Sequence, residues 1–434
     1  MQTTRIQFIQ NLFTFLEGRT YLCVKYLLDA PEELPQKSDL DILVSPDLID
    51  QVSAFCQRQL QVCNIKTEVC GERHTLYLYF WDGGFLKIDL LTCFQWKGLI
   101  YFDAEKCFEF QQMQGNVQTY HCLHLLEHVF LYYFLNGSGV PARYIAYFKH
   151  LPSSHGSVLL PYLEQVYEVE LNDFSDLEQF DDGIRQQLIA KISVRPENSR
   201  LQVIRRQLKQ WTDRALHRLR SSGSIITFSG VDGAGKTTIL SDLGKILAEE
   251  RHEKEKVIRH RPGILPILSA WKMGKQAAYY YHASRMPRQG TNQSKLSSLL
   301  RFAYYYTDYI IGQWWIQLRY CALGYTVIYD RYYFDFIVDP RRSNLVLPQH
   351  LTTSLYRLLL PPKLNFFLYA SPSSILSRKQ ELDQATIVQL TKNYRKLFDN
   401  LQTLQPCCAY QSIENEQKAN SLQQILQWYN LKIA

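Results

Sequence analysis

The hydrophobic and polar positions of the first hundred residues alternate between helical and strand periodicities. Apolar residues recur at helical spacing near both ends of this region, and alternating or continuous apolar runs lie between them. The pattern predicts helices at 6–16 and 48–60, and strands at 21–25, 39–44, 75–80 and 85–91. We therefore expect a small α+β domain over residues 1–105.

Helical patterns dominate residues 104–192, most clearly at 121–135, and a break at 196–199 then precedes a helix at 200–220. One face of that last helix is apolar, and arginine and lysine occupy much of the rest. The apolar residues are Leu201, Ile204, Leu208, Trp211, Ala215 and Leu219. We interpret residues 106–220 as a helical accessory segment that ends in a connector, with its apolar stripe docked on a neighbouring domain and its cations in water. An anionic membrane or a nucleic acid is the alternative partner for this helix.

Strand-like runs at 225–228, 256–260, 325–329 and 364–369 alternate with helical segments, after a hinge at 221–224. This order predicts a parallel sheet, with ligands at the carboxyl ends of its strands. The sequence thus predicts an α/β fold: a parallel-sheet domain at 221–434, preceded by the small α+β domain and the helical segment.

A phosphate-binding motif follows the first of these strands. Residues 230–237 read Gly-Val-Asp-Gly-Ala-Gly-Lys-Thr, which is a complete G-x-x-x-x-G-K-[ST] loop that opens a helix. Its backbone N–H groups can surround phosphates, Lys236 can reach the β- and γ-phosphates, and Thr237 can offer its hydroxyl to Mg²⁺. We predict ATP and Mg²⁺ as cofactors. The predicted binding residues are Gly230, Asp232, Gly233, Ala234, Gly235, Lys236, Thr237 and Thr238.

Asp330 and Arg331 stand at the end of the strand at 325–329. A carboxylate at that edge can orient the Mg²⁺ shell, and the arginine can hold a phosphate through two parallel hydrogen bonds. Asp330 is therefore predicted as a metal residue together with Thr237.

The segments 228–238 and Asp330-Arg331-Tyr332 resemble the thymidylate kinase family over about residues 222–434. The resemblance implies that Asp232 contacts the acceptor's sugar hydroxyl and that Arg261, with Arg259 as its competitor, holds the acceptor phosphate. Arg331, which can hold a phosphate, is a further predicted substrate residue. It places Arg378 near a lid, where a cation neutralises the transferring phosphoryl group. The catalytic residues implied are Lys236, Asp330, Arg331 and Arg378.

Two positions depart from that family. Tyr309 stands where the family has an arginine aimed at the nucleotide, and Asp335 stands near its serine. We therefore expect the acceptor pocket to be altered. Aromatic residues at 279–281 and 304–306, with Trp314 and Trp315, offer either a stacking surface or a helix face that packs on the sheet.

Three aspartates mark a second candidate site in the N-terminal domain. Asp39 and Asp41 are two apart on one strand, and Asp89 lies on a later strand. Three convergent carboxylates can hold two Mg²⁺ ions. Segments 38–44 and 85–91 resemble the minimal nucleotidyltransferases related to the polymerase β palm, although Lys25-Tyr26 replaces the small pair that admits the triphosphate in that family.

The composition excludes some classes of protein but does not identify one. The chain has 434 residues, a net charge of +7, 46% hydrophobic residues and 21% charged residues, which excludes wholesale disorder. It lacks an apolar run long enough to span a bilayer and a signal peptide's apolar core, so we expect a cytoplasmic protein with ten reduced cysteines. His121, His124 and His128 are interpreted as partly buried helix residues rather than as metal ligands.

Three functions remain open. The first is an ATP- and Mg²⁺-dependent phosphotransferase that acts on a nucleoside monophosphate or a related sugar-containing phosphate. The second is a bifunctional kinase and nucleotidyltransferase that makes an activated sugar or alditol for polysaccharide synthesis. The third is a nucleotide-dependent effector that modifies a protein or nucleic acid. The expected partners are ATP and a small phosphorylated acceptor; nucleic acid is not expected, and a homodimer is left open.

Overall fold

The computed structural model describes residues 2–28, 30, 33–220, 223–266 and 292–433. The aromatic run Tyr279 to Tyr281 and two residues of the hinge, Ser221 and Ser222, lie outside these ranges.

The described helices are α1 Gln2–Leu16, α2 Pro46–Arg58, α3 Ala104–Glu109, α4 Cys122–Leu135, α5 Ala142–Lys149, α6 Ser153–Tyr167, α7 Asp182–Ser193, α8 Arg200–Arg220, α9 Lys236–Lys245, α10 Lys295–Arg319, α11 Phe334–Val338, α12 Gln349–Tyr356, α13 Pro372–Arg378, α14 Gln384–Leu404 and α15 Lys418–Lys432. The described strands are β1 Tyr21–Cys23, β2 Leu40–Val44, β3 Val62–Cys70, β4 Arg73–Phe80, β5 Phe85–Leu91, β6 Phe94–Trp96, β7 Leu99–Phe102, β8 Gln111–Gln114, β9 Val117–Tyr120, β10 Ile225–Ser229, β11 Glu255–Arg259, β12 Thr326–Asp330, β13 Leu364–Tyr369 and β14 Ala409–Glu414.

The chain divides into two compact units. The N-terminal unit comprises Met1–Phe80 and Gly84–His217, and the C-terminal unit comprises Trp81–Gly83 and Arg218–Ala434. The helical segment therefore folds together with the first hundred residues.

The N-terminal unit is built on a seven-stranded mixed sheet in the order β3-β4-β5-β2-β1-β9-β8. Its central strands β2 and β5 are parallel, and Asp41 lies opposite Asp89. The helical expectation for 104–192 is wrong at β8 and β9, which pair antiparallel, while β9 also pairs parallel with β1. Glutamines occupy three of the four positions of β8, so the segment has no apolar alternation that would predict a strand.

Helix α8 has the predicted bounds, but its orientation is opposite to the expected one. Arg206 donates from Nη1 to the Gly98 carbonyl at 2.7 Å, and Gln210 donates to the Gln95 side chain at 3.0 Å. Asp213 accepts a hydrogen bond from the Gly71 N–H at 2.9 Å. The polar face therefore docks on the unit, because loop carbonyls and N–H groups there require partners. Leu201, Ile204, Leu208 and Trp211 of the apolar stripe face outward.

The C-terminal unit contains a five-stranded sheet in the order β11-β12-β10-β13-β14. All its neighbouring strands are parallel, as predicted. The chain leaves β10 toward β11 and β12 on one side and later adds β13 and β14 on the other. The crevice of such a sheet opens at the carboxyl ends of the strands where this change of direction occurs. The loops after β10, β12 and β13 meet there.

Among the helices of the described ranges, none combines the length and the apolar character needed to cross a bilayer. All ten cysteines are free thiols.

Candidate functional site

The phosphate loop connects β10 to α9, as the motif predicts. Gly235 is the N-cap of α9 and has a φ of 82°, while Gly230 has a φ of 150°. A Cβ added at Gly230 would lie 2.3 Å from the Leu368 carbonyl oxygen, so the loop passes too close to β13 for any other residue. The loop therefore requires glycine at these positions, because of the positive φ angles and, at Gly230, because of the close approach to β13.

Lys236 is buried within the loop. Its ammonium donates to the carbonyl oxygens of Gly230 at 2.8 Å and Val231 at 2.9 Å. Burial, and then the neighbouring Arg331 guanidinium, lower the pKa of Lys236 to about 7. These two carbonyls hold the ammonium at the loop, where the phosphates of a nucleotide would lie.

Two polar groups approach the loop from the side of β13 and β14. Asn415 follows β14 and donates from Nδ2 to the Ala234 carbonyl at 2.8 Å, whereas its buried Oδ1 has no hydrogen-bond partner among the residues that the structure describes. Arg378, at the end of α13, is exposed, and its Nη1 lies 3.6 Å from an ideal Cβ on Gly235. The structure thus brings Arg378 beside the loop, and its role at the transferring phosphoryl group stays a prediction.

A cluster of charged residues occupies the other side of the loop. Arg331 donates from Nη2 to Asp232 at 2.5 Å and from Nη1 to Asp335 at 2.9 Å. Asp232 also accepts a hydrogen bond from Arg342, which lies on the short 3₁₀ helix Pro340–Ser343. Asp335 accepts a further hydrogen bond from the Tyr394 hydroxyl at 2.7 Å. The sequence analysis missed Arg342, since nothing in its spacing links it to Asp232.

The charges of this cluster stabilise one another. Although burial opposes ionisation, Arg331 and Arg342 hold the pKa of Asp232 well below its ordinary value. Burial likewise opposes the charge on Arg331, but Asp335 and Asp232 raise its pKa above the usual range. A small cavity beside the phosphate loop is lined by Gly230, Asp232, Arg331 and Arg342 among others. Two guanidinium groups, each paired with Asp232, are therefore presented to one space.

The loop after β11 carries the next candidate, Arg261. Its Nη1 donates to the fully buried carboxylate of Asp308 at 3.0 Å, and its guanidinium lies 4.6 Å from the centre of the Tyr305 ring. Asp308 also accepts the N–H groups of Gly263 and Leu265, so it fixes the loop that holds Arg261. Burial, opposed by the charge of Asp335, lowers the pKa of the adjacent His260 to about 4.

The other predicted residues of this unit are placed as follows. Arg259 is the exposed last residue of β11 and lies opposite Asp330 of β12. Asp330 is partly buried at the carboxyl end of its strand, whereas Thr237 and Thr238 are exposed in the first turn of α9. Thr237 and Asp330 thus offer oxygen ligands of the kind that Mg²⁺ prefers.

The departures from the family pattern are buried. Tyr309 donates its hydroxyl to the His260 carbonyl, and its ring is almost wholly inaccessible. Asp335 is fully buried in the ion pair with Arg331. Trp314 and Trp315 are exposed on α10, so the alternative in which they pack on the sheet is wrong for this pair.

The three aspartates of the N-terminal unit come together, but each is paired with a lysine. Lys87 lies 2.6 Å from the Asp39 carboxylate and 3.2 Å from that of Asp89, and Lys25 lies 3.2 Å from that of Asp41. The pKa of Asp41 is raised by burial, against the opposing charge of Lys25. Within the described part of the chain, no group of three histidine, cysteine or acidic residues has an arrangement that could hold a metal ion.

The structure shows the surroundings of Lys25 and Tyr26, the two residues that replace the small pair expected on the first strand. Lys25 has a left-handed backbone with a φ of 58°, and its ammonium lies 4.1 Å from the centre of the Tyr132 ring. Tyr26 is buried in the core of the unit. Tyr26 therefore does not obstruct the first strand, and Lys25 is directed at the carboxylate of Asp41.

His124 and His128 are buried on α4, whereas His121 is the N-cap of that helix. His128 is fully buried, with its ring nitrogens 3.2 Å and 2.7 Å from the hydroxyls of Tyr101 and Tyr120. His121 caps the helix by accepting from the Leu123 N–H.

Thymidylate kinases are among the solved structures to which the chain is similar. The enzyme from Candida albicans is 18% identical, with 49% of this chain and 95% of that chain covered and a TM-score of 0.34. The enzyme from Ehrlichia chaffeensis is 16% identical, with 48% and 96% covered and a TM-score of 0.31. No protein-family model matches the sequence, and no curated protein matches it significantly. At such low TM-scores the function must be inferred from the residues of the site.

Proposed function

We propose that the C-terminal unit is an ATP- and Mg²⁺-dependent phosphotransferase whose acceptor is a small phosphorylated molecule, of the nucleoside monophosphate or sugar phosphate class. One observation carries the proposal. The phosphate loop, with Lys236 inside it, directly adjoins a cavity in which Arg331 and Arg342 converge on Asp232. The proposed donor phosphate site thus adjoins the proposed acceptor anion site, as phosphoryl transfer requires. The cavity between them is about 10 Å³, the room of a single water, and has to widen around the acceptor.

The donor side can hold a triphosphate. The positive φ angles of the loop glycines leave backbone N–H groups at the N-terminus of α9, and Lys236 and Arg378 add positive charge on either side. Thr237 and Asp330 would hold Mg²⁺, which neutralises phosphate charge when bound. As the phosphoryl group moves, the bond between the γ-phosphorus and the β–γ bridging oxygen breaks, and ADP leaves.

The acceptor side is suited to an anion that carries a nearby hydroxyl. Arg331 and Arg342 are already oriented by Asp232, and Arg261 is held by Asp308. An acceptor phosphate can pair with these guanidinium groups, and an acceptor oxygen forms the new bond to phosphorus. Asp232 remains ionised because its pKa is held low, so it can accept a hydrogen bond from a sugar hydroxyl.

The full chain should be tested with γ-labelled ATP and a panel of nucleoside monophosphates, sugar phosphates and alditol phosphates. We expect label transfer to at least one member. Lys236→Ala should abolish it, whereas Lys245→Ala, an exposed lysine at the other end of α9, should not. Label transfer that persists in a folded Lys236→Ala protein would refute the assignment of the loop.

The N-terminal unit supports a second candidate function, nucleotidyl transfer. The favouring observation is the placement of Asp41 opposite Asp89 on parallel strands, with Asp39 close by. Lys25 and Lys87 neutralise these carboxylates, which as they stand are not arranged to hold a metal ion. Mg²⁺ must therefore both displace a lysine and draw the carboxylates together. We propose slow or acceptor-restricted transfer, coupled to the kinase in the synthesis of an activated sugar or alditol.

Calorimetry of the full chain with Mg²⁺ and nucleotide can isolate the N-terminal site on a Lys236→Ala background. Asp39→Asn/Asp41→Asn should remove the remaining binding, while Asp47→Asn/Asp50→Asn, two exposed acids of α2, should not. Unchanged binding in the first variant would exclude the carboxylates. Nucleotide transfer to a small sugar phosphate would support the bifunctional enzyme, and transfer to a macromolecule would support an effector.

A further inference from the structure

Helix α8 presents an apolar stripe to solvent while its polar face holds it in place. Leu201 is 82% exposed and Trp211 is 72% exposed, and Ile204 and Leu208 between them are also exposed. These residues follow a spacing of three and four, so they form one continuous row along the helix.

The orientation of the helix is fixed by hydrogen bonds from its opposite face. Arg206 donates to the carbonyls of Gly98 and Glu197, Gln207 donates to the Lys97 carbonyl at 2.7 Å, and Asp213 accepts from Gly71. Turning the stripe inward would leave these polar groups without partners, at about 1–3 kcal/mol for each one that is buried. The outward stripe is therefore a stable feature of the unit.

The charged residues on either side of the stripe indicate which kind of partner it can bind. Arg205 is exposed on one flank and Arg200 and Arg214 on the other, whereas Asp213, the single acid of residues 200–220, faces the unit. Two copies of α8 packed stripe to stripe would bring arginines against arginines, which disfavours a dimer through this face. A nucleic acid would contact cations first, yet the centre of this surface is leucine, isoleucine and tryptophan.

We propose that α8 lies on an anionic lipid bilayer, with the stripe in the headgroup region and the flanking arginines against acidic lipids. An interfacial helix combines an apolar row, a tryptophan at the polar boundary and cations on the flanks, and it binds without spanning. The occupant is thus a membrane surface.

Flotation of the full chain with vesicles tests the proposal. We expect binding when one lipid in three is phosphatidylglycerol and little binding to pure phosphatidylcholine. Arg205→Gln/Arg214→Gln should lower the partition coefficient by about twenty-five-fold, since each arginine near an acidic surface contributes about fivefold. Leu208→Ser/Trp211→Ser should lower it by at least about tenfold.

A matched control lies on the other unit. Trp314→Ser/Leu318→Ser removes a similar amount of exposed apolar surface from α10 and should leave vesicle binding unchanged. Failure of the wild-type chain to float with anionic vesicles overturns the proposal, as does equal flotation of the Leu208→Ser/Trp211→Ser variant. A dimer that this variant dissociates, or preferential binding of duplex DNA or RNA over vesicles, would assign the stripe to another partner. Equal thermal stability of all variants ensures that lost flotation is not unfolding.

Discussion

ATP binding should take up a proton at Lys236. In the ligand-free protein, burial and then Arg331 lower the pKa of this ammonium to about 7. A triphosphate beside the ammonium favours its charged form and raises the pKa. The complex therefore retains a proton that the free protein loses as the pH rises above 7.

The size of the effect follows from the two pKa values. Full recovery of the ordinary value of 10.5 from about 7 is a shift of about 3.5 units, or a coupling free energy on the order of 5 kcal/mol. Affinity for ATP should be independent of pH below 7 and should fall about tenfold per pH unit above it, until the pKa of the complex is reached. At pH 8 about nine-tenths of the free lysine is deprotonated, so binding should take up about 0.9 proton.

Calorimetric titration at pH 6 and pH 8, in pairs of buffers that differ in ionisation enthalpy, measures this uptake directly. Lys236→Met should abolish the buffer dependence at pH 8, and Lys245→Met, at the exposed end of the same helix, should retain it. Binding without proton uptake at pH 8, or the same uptake in Lys236→Met, would show that Lys236 is already charged in the free protein.

Three further predictions concern the metal and the acceptor. Asp330→Asn should lower kcat on the order of a hundredfold, with partial recovery at high Mg²⁺ in a steady-state assay; full turnover at limiting Mg²⁺ would reduce Asp330 to a strand-end residue. Arg342→Gln should lower kcat/KM for the acceptor by roughly tenfold and leave KM for ATP unchanged, whereas an equal effect on both would indicate a general disturbance of the loop. Thymidylate should be at least about tenfold poorer in kcat/KM than the best acceptor of the panel, because Tyr309 and Asp335, the two positions that depart from the thymidylate kinase sequence pattern, are buried; efficient turnover of thymidylate would contradict this.

Much of the C-terminal site could be predicted because its residues adjoin elements with strong local signals. Strands β10, β12 and β13 are short apolar runs, the phosphate loop follows β10 directly, and Asp330 is the last residue of β12. Strand β14 was missed, since Ala409–Glu414 mixes polar and apolar residues and forms through pairing with β13 alone. Asn415, which follows that strand, was missed for the same reason. Its contact with Ala234 depends on tertiary structure that no local pattern encodes.

The docking of α8 shows a second limit of prediction from the sequence. The period of its apolar residues fixes the helix and identifies the stripe, and both predictions match the bounds Arg200–Arg220. Which face docks depends on the competing demand of the Gly98 carbonyl, in the turn between β6 and β7, and of the Glu197 carbonyl, on the 3₁₀ helix Pro196–Asn198. Burial of an apolar face is a tendency that such hydrogen bonds can outweigh.

The two candidate sites differ in how strongly the residues that a ligand would need are already bound to other groups of the protein. In the C-terminal unit, the ammonium of Lys236 bonds to neutral carbonyls, so an incoming triphosphate replaces weak partners by a stronger one of opposite charge. In the N-terminal unit, Lys25 and Lys87 are ion-paired with the aspartates that a metal would need, so Mg²⁺ must break charged pairs before it can bind. Nucleotide should therefore bind the C-terminal unit readily. Metal should enter the N-terminal unit only with a ligand whose own negative charge can take over Lys25 and Lys87.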